Sequence, residues 1–434
     1  MFTTLGNIFK VEDLRRRILF TLLLLVVFRI GSYIPVPNTD ANALRDYLQT
    51  QGGGVFGLIN TFSGNSLHNF SIFAMGIMPY ITASIIVQLL TMDVIPAFAR
   101  WAKEGETGRR KIAQVTRYFT IALGIIQSIG LSIGFGRAAK AFIIGDGFWT
   151  YASISLTLTA GTAFLMWLGE QITDKGIGNG ISIIIFAGIA AGIPGVGSQV
   201  WTTFFTGKAD VTMGILKLVG ILLVVLVVIV GIIYIQQGVR KITINYTKRV
   251  VGRKMYGGQS THIPFKVNAA GVIPVIFAVS LLMFPPTIAR FWEGNAIANW
   301  VIQHFDYTSS TLGMILYVLL ILGFTYFYTF VQMNPIQLSD QLKKNGGFIP
   351  GVRPGKATTS YLTRIMNRLT LTGALFLAAV AILPVIFIKL AGLPTSVQIG
   401  GTSLLIVIGV VLEVMKSIEA QLVKRHYKGF MSSK

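Results

Sequence analysis

The side chains that usually carry out chemistry are too scattered here to do so. His68, His262, His304 and His426 stand far apart, and the chain has no cysteine. A zinc site needs a close set of His, Cys or carboxylate ligands, and a disulfide or thiolate site needs Cys, so neither is expected. No glycine-rich loop carries the Lys and Ser/Thr that would cradle a phosphate. The 16 acids sit in polar segments or at the ends of apolar ones. The deepest are Glu413 and Glu419, beside Lys416 near the end of the last apolar run. A proton- or sodium-coupled transporter needs ionisable or unwound polar groups at mid-membrane, and the sequence offers none. The expectation is a protein with no cofactor, no metal, no catalytic residue and no small-molecule substrate.

What recurs at fixed spacing is glycine and isoleucine. The stretch Gly76-Ile77-Met78-Pro79-Tyr80-Ile81-Thr82-Ala83-Ser84-Ile85 has a second copy, Gly271-Val272-Ile273-Pro274-Val275-Ile276-Phe277-Ala278-Val279-Ser280. Gly76/Gly271, Pro79/Pro274, Ile81/Ile276 and Ala83/Ala278 share one offset. A second pair of stretches, Ile177–Ile185 and Ile399–Ile406, aligns Gly180 with Gly401, Ser182 with Ser403 and Ile185 with Ile406. Ile81 and Ile85 share a helix face by i,i+4 spacing, as do Ile185 and Ile189. Two readings fit these isoleucines. One is ordinary apolar packing between helices. The other is a ring of Ile81, Ile85, Ile185, Ile189, Ile276 and Ile406 that closes a pore by dewetting.

The elements that must position them are membrane helices. Of 434 residues, 53% are hydrophobic and 12% charged, and apolar runs of about 20 residues, the length that crosses a bilayer as helix, recur throughout. They predict an all-α polytopic membrane protein with ten spans, near 18–36, 70–91, 115–135, 152–170, 181–201, 213–236, 269–288, 312–332, 369–389 and 402–422. The first run follows Arg15-Arg16-Arg17 but has no small-residue cleavage site, and reads as a retained helix. Arg29, near its outer end, is expected to snorkel. Most Lys and Arg fall in the N-terminus, the tail and alternate loops, which puts both termini in the cytoplasm. The repeats divide the chain into halves 1–205 and 206–434. Five spans per half make the second half enter from the opposite side, an inverted repeat around a central path. The net charge of +21 suits cytoplasmic loops, anionic lipid, or an acidic or nucleic-acid partner.

Two segments depart from plain spans. Between the first two lies Val55-Phe56-Gly57-Leu58-Ile59-Asn60-Thr61-Phe62-Ser63, apolar, glycine-bounded and too short to span. It reads either as a re-entrant helix in an external cavity or as an amphipathic helix on the outer leaflet. The cytoplasmic loops 238–266 and 332–368 are longer than topology requires. Ile242–Tyr246 alternates like a strand, and Gly346–Lys356 reads as a rigid turn-rich tip. Their basic residues suit a polyanionic or acidic partner such as ribosomal RNA or an acidic protein face.

Over essentially its whole length the chain resembles the SecY family, the channel subunits of bacterial protein-conducting translocons. The carrying stretches are Gly76–Leu90, Gly176–Gly188, Gln259–Pro274, Gly347–Lys356 and Gly400–Ile406. The resemblance implies an hourglass channel in the bacterial cytoplasmic membrane that passes unfolded secretory polypeptides and releases transmembrane segments sideways into lipid. It implies that the six isoleucines form the pore ring and that Val55–Ser63 is the plug. It implies a lateral gate between spans 2–3 and 7–8, with Gln88 and Asn268 as candidate polar groups there. Signal peptides and the translocating polypeptide would be the cargo. The motor ATPase SecA and the ribosome would dock on Arg240, Arg249, Arg253, Arg353 and Lys356, and SecE and SecG would complete the complex. Two rivals make different demands. A coupled transporter needs ionisable groups at mid-membrane, and an insertase without a through-pore needs neither plug nor ring.

Overall fold

A computed structural model of the chain describes residues 11–45, 60, 63–91, 95–138, 142–145, 147–205, 211–246, 249–251, 254–256, 260–289, 292, 295–307, 310–391 and 401–431. The helices are α1 Glu12–Gly31, α2 Met78–Leu90, α3 Pro96–Lys103, α4 Glu106–Ala138, α5 Phe148–Lys175, α6 Gly180–Phe205, α7 Val211–Gln237, α8 Ile273–Ala289, α9 Ala296–His304, α10 Thr311–Gln332, α11 Pro335–Lys344, α12 Lys356–Ala391 and α13 Gly401–Met431. The strands are β1 Val239–Tyr246, β2 Arg249–Val251, β3 Lys254–Tyr256, β4 Ser260–Lys266 and β5 Gly347–Phe348. Among the described residues six helices are long and apolar enough to cross a membrane, and α2 and α8 are shorter apolar helices. The chain is therefore a multi-pass, all-α membrane protein.

Each expected span meets a helix, but the second and seventh begin late. The apolar runs over 70–91 and 269–288 become helix only from Met78 and Ile273. Gly76 (φ +56°) and Gly271 (φ +66°) adopt the left-handed conformation that glycine takes without a Cβ penalty. Each is followed by Pro in the first turn of the helix, where its missing N–H costs nothing. The repeated Gly-x-x-Pro is thus a helix start. The second repeat marks starts too, since α6 opens at Gly180 and α13 at Gly401. Ile81 and Ile276 consequently lie in the first turns of α2 and α8, and Ile185 and Ile406 in the second turns of α6 and α13.

Packing pairs these mates. α2 contacts α8, and α6 contacts α13. Their inner faces join one large apolar cluster with parts of α1, α5, α7, α10 and α12. A second cluster lies under residues 63–77, around Phe70, Phe135 and Phe142.

The two basic loops fold into one unit. β1 pairs antiparallel with β4, from Val239 opposite Lys266 to Asn245 opposite Ser260. Asn245 and Tyr246 on its other edge pair with Phe348 and Gly347 of β5. The sheet order β4-β1-β5 joins the loop at 238–266 to the loop at 332–368. Ile242, Ile244, Phe265, Leu342, Ile349 and Leu362 give this unit its own small core. The expected strand over 242–246 is present as part of β1.

Candidate functional site

All six isoleucines are buried, between 0% and 6% exposed, and all belong to the one large cluster. They come from four helices whose starts are fixed by the repeats. With them pack Val275, Leu405 and Val410, also buried. Such a surface has no hydrogen-bond donor or acceptor to replace the hydration of an ion, so admitting water or an ion among these side chains is costly.

Of the expected plug residues, Val55–Ile59, Thr61 and Phe62 lie outside the described residues. The segment that follows them packs against α1 and α6. Gly64 (φ +70°) comes so close to α6 that a Cβ on it would stand 2.8 Å from Gly188 Cα and 3.5 Å from Phe28 Cζ. Arg29 Nη1 donates to Gly64 O at 2.8 Å, and Nη2 donates to Tyr33 Oη at 2.8 Å. Arg29 thus bonds to the protein rather than snorkelling, because a backbone carbonyl lies within its reach. Further along, Thr162 Oγ1 donates to Gly76 O at 3.5 Å. The backbone of Ile72 presses on α5 at Gly161, where a Cβ would stand 1.9 Å from Ile72 O. Asn60 braces the same segment, its Oδ1 accepting from the backbone N–H of His68 at 2.9 Å. Burial, and then the positive charge of Arg45, push the His68 pKa down.

The seam between α2 and α8 is crossed by Ser280 Oγ, which donates to Met78 Sδ at 3.7 Å. Beside it is a small cavity of about 40 Å³, lined by Met75, Met78, Thr82, Gln127, Ser280 and Met283 among others. Gln88 and Asn268 do not line it. Gln88 is half-buried near the end of α2, its carbonyl accepting from Thr91 Oγ1 at 2.6 Å. Asn268 is buried next to Gly373 of α12, and its Nδ2 donates to Gly271 O at 2.9 Å. Lone hydroxyls and one amide inside apolar runs are weak signals, so nothing in the sequence marks Thr82, Gln127 and Ser280 as a group.

Arg240 lies on β1 and is exposed, while Arg353 and Lys356 flank the exposed tip between β5 and α12. Arg249 opens β2, opposite Tyr256 of β3. Arg253 lies outside the described residues. The sheet β4-β1-β5 brings Arg240 and the Arg353 tip into one folded unit.

The family model for SecY matches residues 71–415. The chain belongs to the SecY family. The protein translocase subunit SecY of Halalkalibacterium halodurans is 60% identical over 433 residues, covering 99% of this chain and 100% of that protein. Among solved structures, a SecY whose plug domain stabilises the closed state of the translocation channel matches with a TM-score of 0.62 at 17% identity, covering 94% of this chain and 92% of that one. Sec61 from a canine ribosome-channel complex matches at 0.58 and 17% identity, covering 94% and 93%. The SecY fold is therefore the fold of this chain. Its function is that of a translocase subunit, a channel that conducts polypeptides across a membrane.

Proposed function

We propose that Ile81, Ile85, Ile185, Ile189, Ile276 and Ile406 form the constriction of this channel and that Val55–Ser63 is its plug. One observation carries the reading: the six isoleucines, drawn from repeat-mated helices of halves 1–205 and 206–434, share one buried cluster. The α2–α8 seam is the lateral gate, with Thr82, Gln127 and Ser280 closer to it than Gln88 or Asn268. A signal peptide opens it by burying its own apolar surface there, worth about 25 cal/mol per Å², which shifts the population toward the open state. The polypeptide catalyses no covalent step. A SecA-type motor or a ribosome, docked on Arg240, Arg249, Arg253, Arg353 and Lys356, supplies the push, and SecE and SecG complete the complex. The setting is the bacterial cytoplasmic membrane, with both termini and the β4-β1-β5 unit in the cytoplasm beside anionic lipid.

The test is ion conductance of the purified protein in planar bilayers. Deleting residues 55–63, or changing Ile81 and Ile276 together to Gly, is expected to give large, weakly selective currents absent from the parent. If neither variant leaks, the ring and plug assignments fail.

A further inference from the structure

We infer that Arg29 is the positioning residue that holds the 63–77 segment in its resting place on the isoleucine-bearing stretch of α6. The inference rests on the channel reading above and adds to it a control point on α1.

Gly188, which Gly64 abuts, lies between Ile185 and Ile189 in α6. The contact at Gly64 is backbone against backbone, with Gly188 Cα as the nearest atom to a Cβ built there. Gly64 has no side chain and buries little apolar surface, so hydrophobic packing at that residue anchors it weakly. The anchor is instead the bond from Arg29 Nη1 to Gly64 O at 2.8 Å. A charged donor makes roughly twice the bond of a neutral one. The guanidinium is itself aimed. Tyr33 Oη accepts from its second nitrogen, and its carbon lies 4.8 Å from the centre of the Tyr33 ring.

The far end of the segment is fixed by other groups. Ile72 N donates to Ile34 O at 3.0 Å, Val36 N donates to Phe70 O at 3.0 Å, and Thr162 bonds Gly76. Arg29 therefore ties the leading end, next to residue 63, to α1, while these contacts keep the trailing end in place. A bond of one charged group to one neutral carbonyl is strong enough to bias a resting state and weak enough to be broken when cargo enters.

The test uses the full chain with its partner subunits in planar bilayers. Arg29→Met keeps the aliphatic stem and removes the donors, and Arg29→Lys keeps the charge. The Ile81/Ile276→Gly double variant is the reference for a broken seal. Arg29→Met is expected to raise the resting open fraction about tenfold or more, the effect of losing one charged hydrogen bond. Arg29→Lys should fall between it and the parent. The thermal unfolding midpoint should barely move, because the trailing contacts persist, whereas a residue that merely capped α1 would lower the midpoint without a leak. If the reference leaks and Arg29→Met is as tight as the parent, the assignment of Arg29 fails and the constriction stands. If both are silent, the channel reading and this inference fail together. Should Arg29→Met not assemble, Arg29→Gln carries the test, since it shortens the side chain and removes the charged donors that reach Gly64 O. A tight Arg29→Gln channel overturns the inference equally.

Discussion

Ile406→Ala separates a constriction from ordinary packing. Ile406 is fully buried on α13, and its repeat mate Ile185 is 1% exposed. Truncating such an isoleucine removes its transfer energy and leaves a cavity, together about 2–5 kcal/mol. If Ile406 lies in a constriction, opening draws its neighbours away, so the truncation costs the closed state and spares the open one. At the lower figure, about 2 kcal/mol, the open-to-closed ratio rises roughly 30-fold. Ile232 on α7 is the control, since it is fully buried in the same cluster but is none of the six. Ile232→Ala should lower the unfolding midpoint by a similar amount, because its packing is lost from closed and open states alike, with open probability unchanged. The assay is single-channel open probability at zero cargo, with thermal unfolding of the same preparations. If Ile406→Ala lowers the midpoint like Ile232→Ala and leaves open probability at the parent level, Ile406 is packing and the constriction loses a member.

Two further outcomes follow from groups near the site. Tyr317 stacks on Tyr307 with ring centres 4.4 Å apart, and its buried hydroxyl has no hydrogen-bond partner among the described residues; Tyr317→Phe should therefore be neutral or stabilising by up to about 1–3 kcal/mol in denaturant unfolding, and a clear loss would reveal a partner. The His68 pKa is depressed from its ordinary 6.5 by burial and by Arg45, so on acidification the unfolded chain takes up that proton before the folded chain does; stability should fall as pH drops through about 6.5, and His68→Gln should flatten that part of the pH–midpoint profile.

Much of the architecture was legible because membrane proteins write it in composition and repetition. The apolar runs locate the helices, and the shared offsets of Gly76/Gly271 and Gly180/Gly401 match α2 with α8 and α6 with α13, the pairs that pack together. The alternation at Ile242–Tyr246 marked β1. Other features were hidden for physical reasons. Residues 70–77 are apolar whether helical or not, so hydropathy could not place the start of α2; the left-handed Gly76 followed by Pro79 could have. The pairing of β1 with β5 joins residues about 100 positions apart with only two residues of β5, Gly347 and Phe348, far too few to show a period. Arg29 is visible as a charge in an apolar run with Tyr33 four residues on, but its other partner, Gly64 O, is a backbone carbonyl, which no side-chain pattern announces.

The late helix starts bear on which elements move. At 13 and 17 residues, α2 and α8 are shorter than the roughly 20 needed to cross the hydrocarbon core. A helix that begins inside the membrane leaves its first N–H groups and the preceding turn without helical partners, which is tolerated only where protein or a water-lined cavity surrounds them. The structure meets that demand alike in both halves: the carbonyl of each left-handed glycine accepts a side-chain bond, Gly76 from Thr162 and Gly271 from Asn268. α8 also carries Pro285 and Pro286 within its last turns, where missing N–H groups loosen the ladder. The two helices that face each other across the seam are thus the short ones, held at one end by single side-chain bonds. Separating them would break the Ser280–Met78 contact and, because α4 packs against both α2 and α8, would carry α4 away from one of the two. With the gate and constriction as proposed, opening sideways and opening through the centre would be one displacement of α2 against α8.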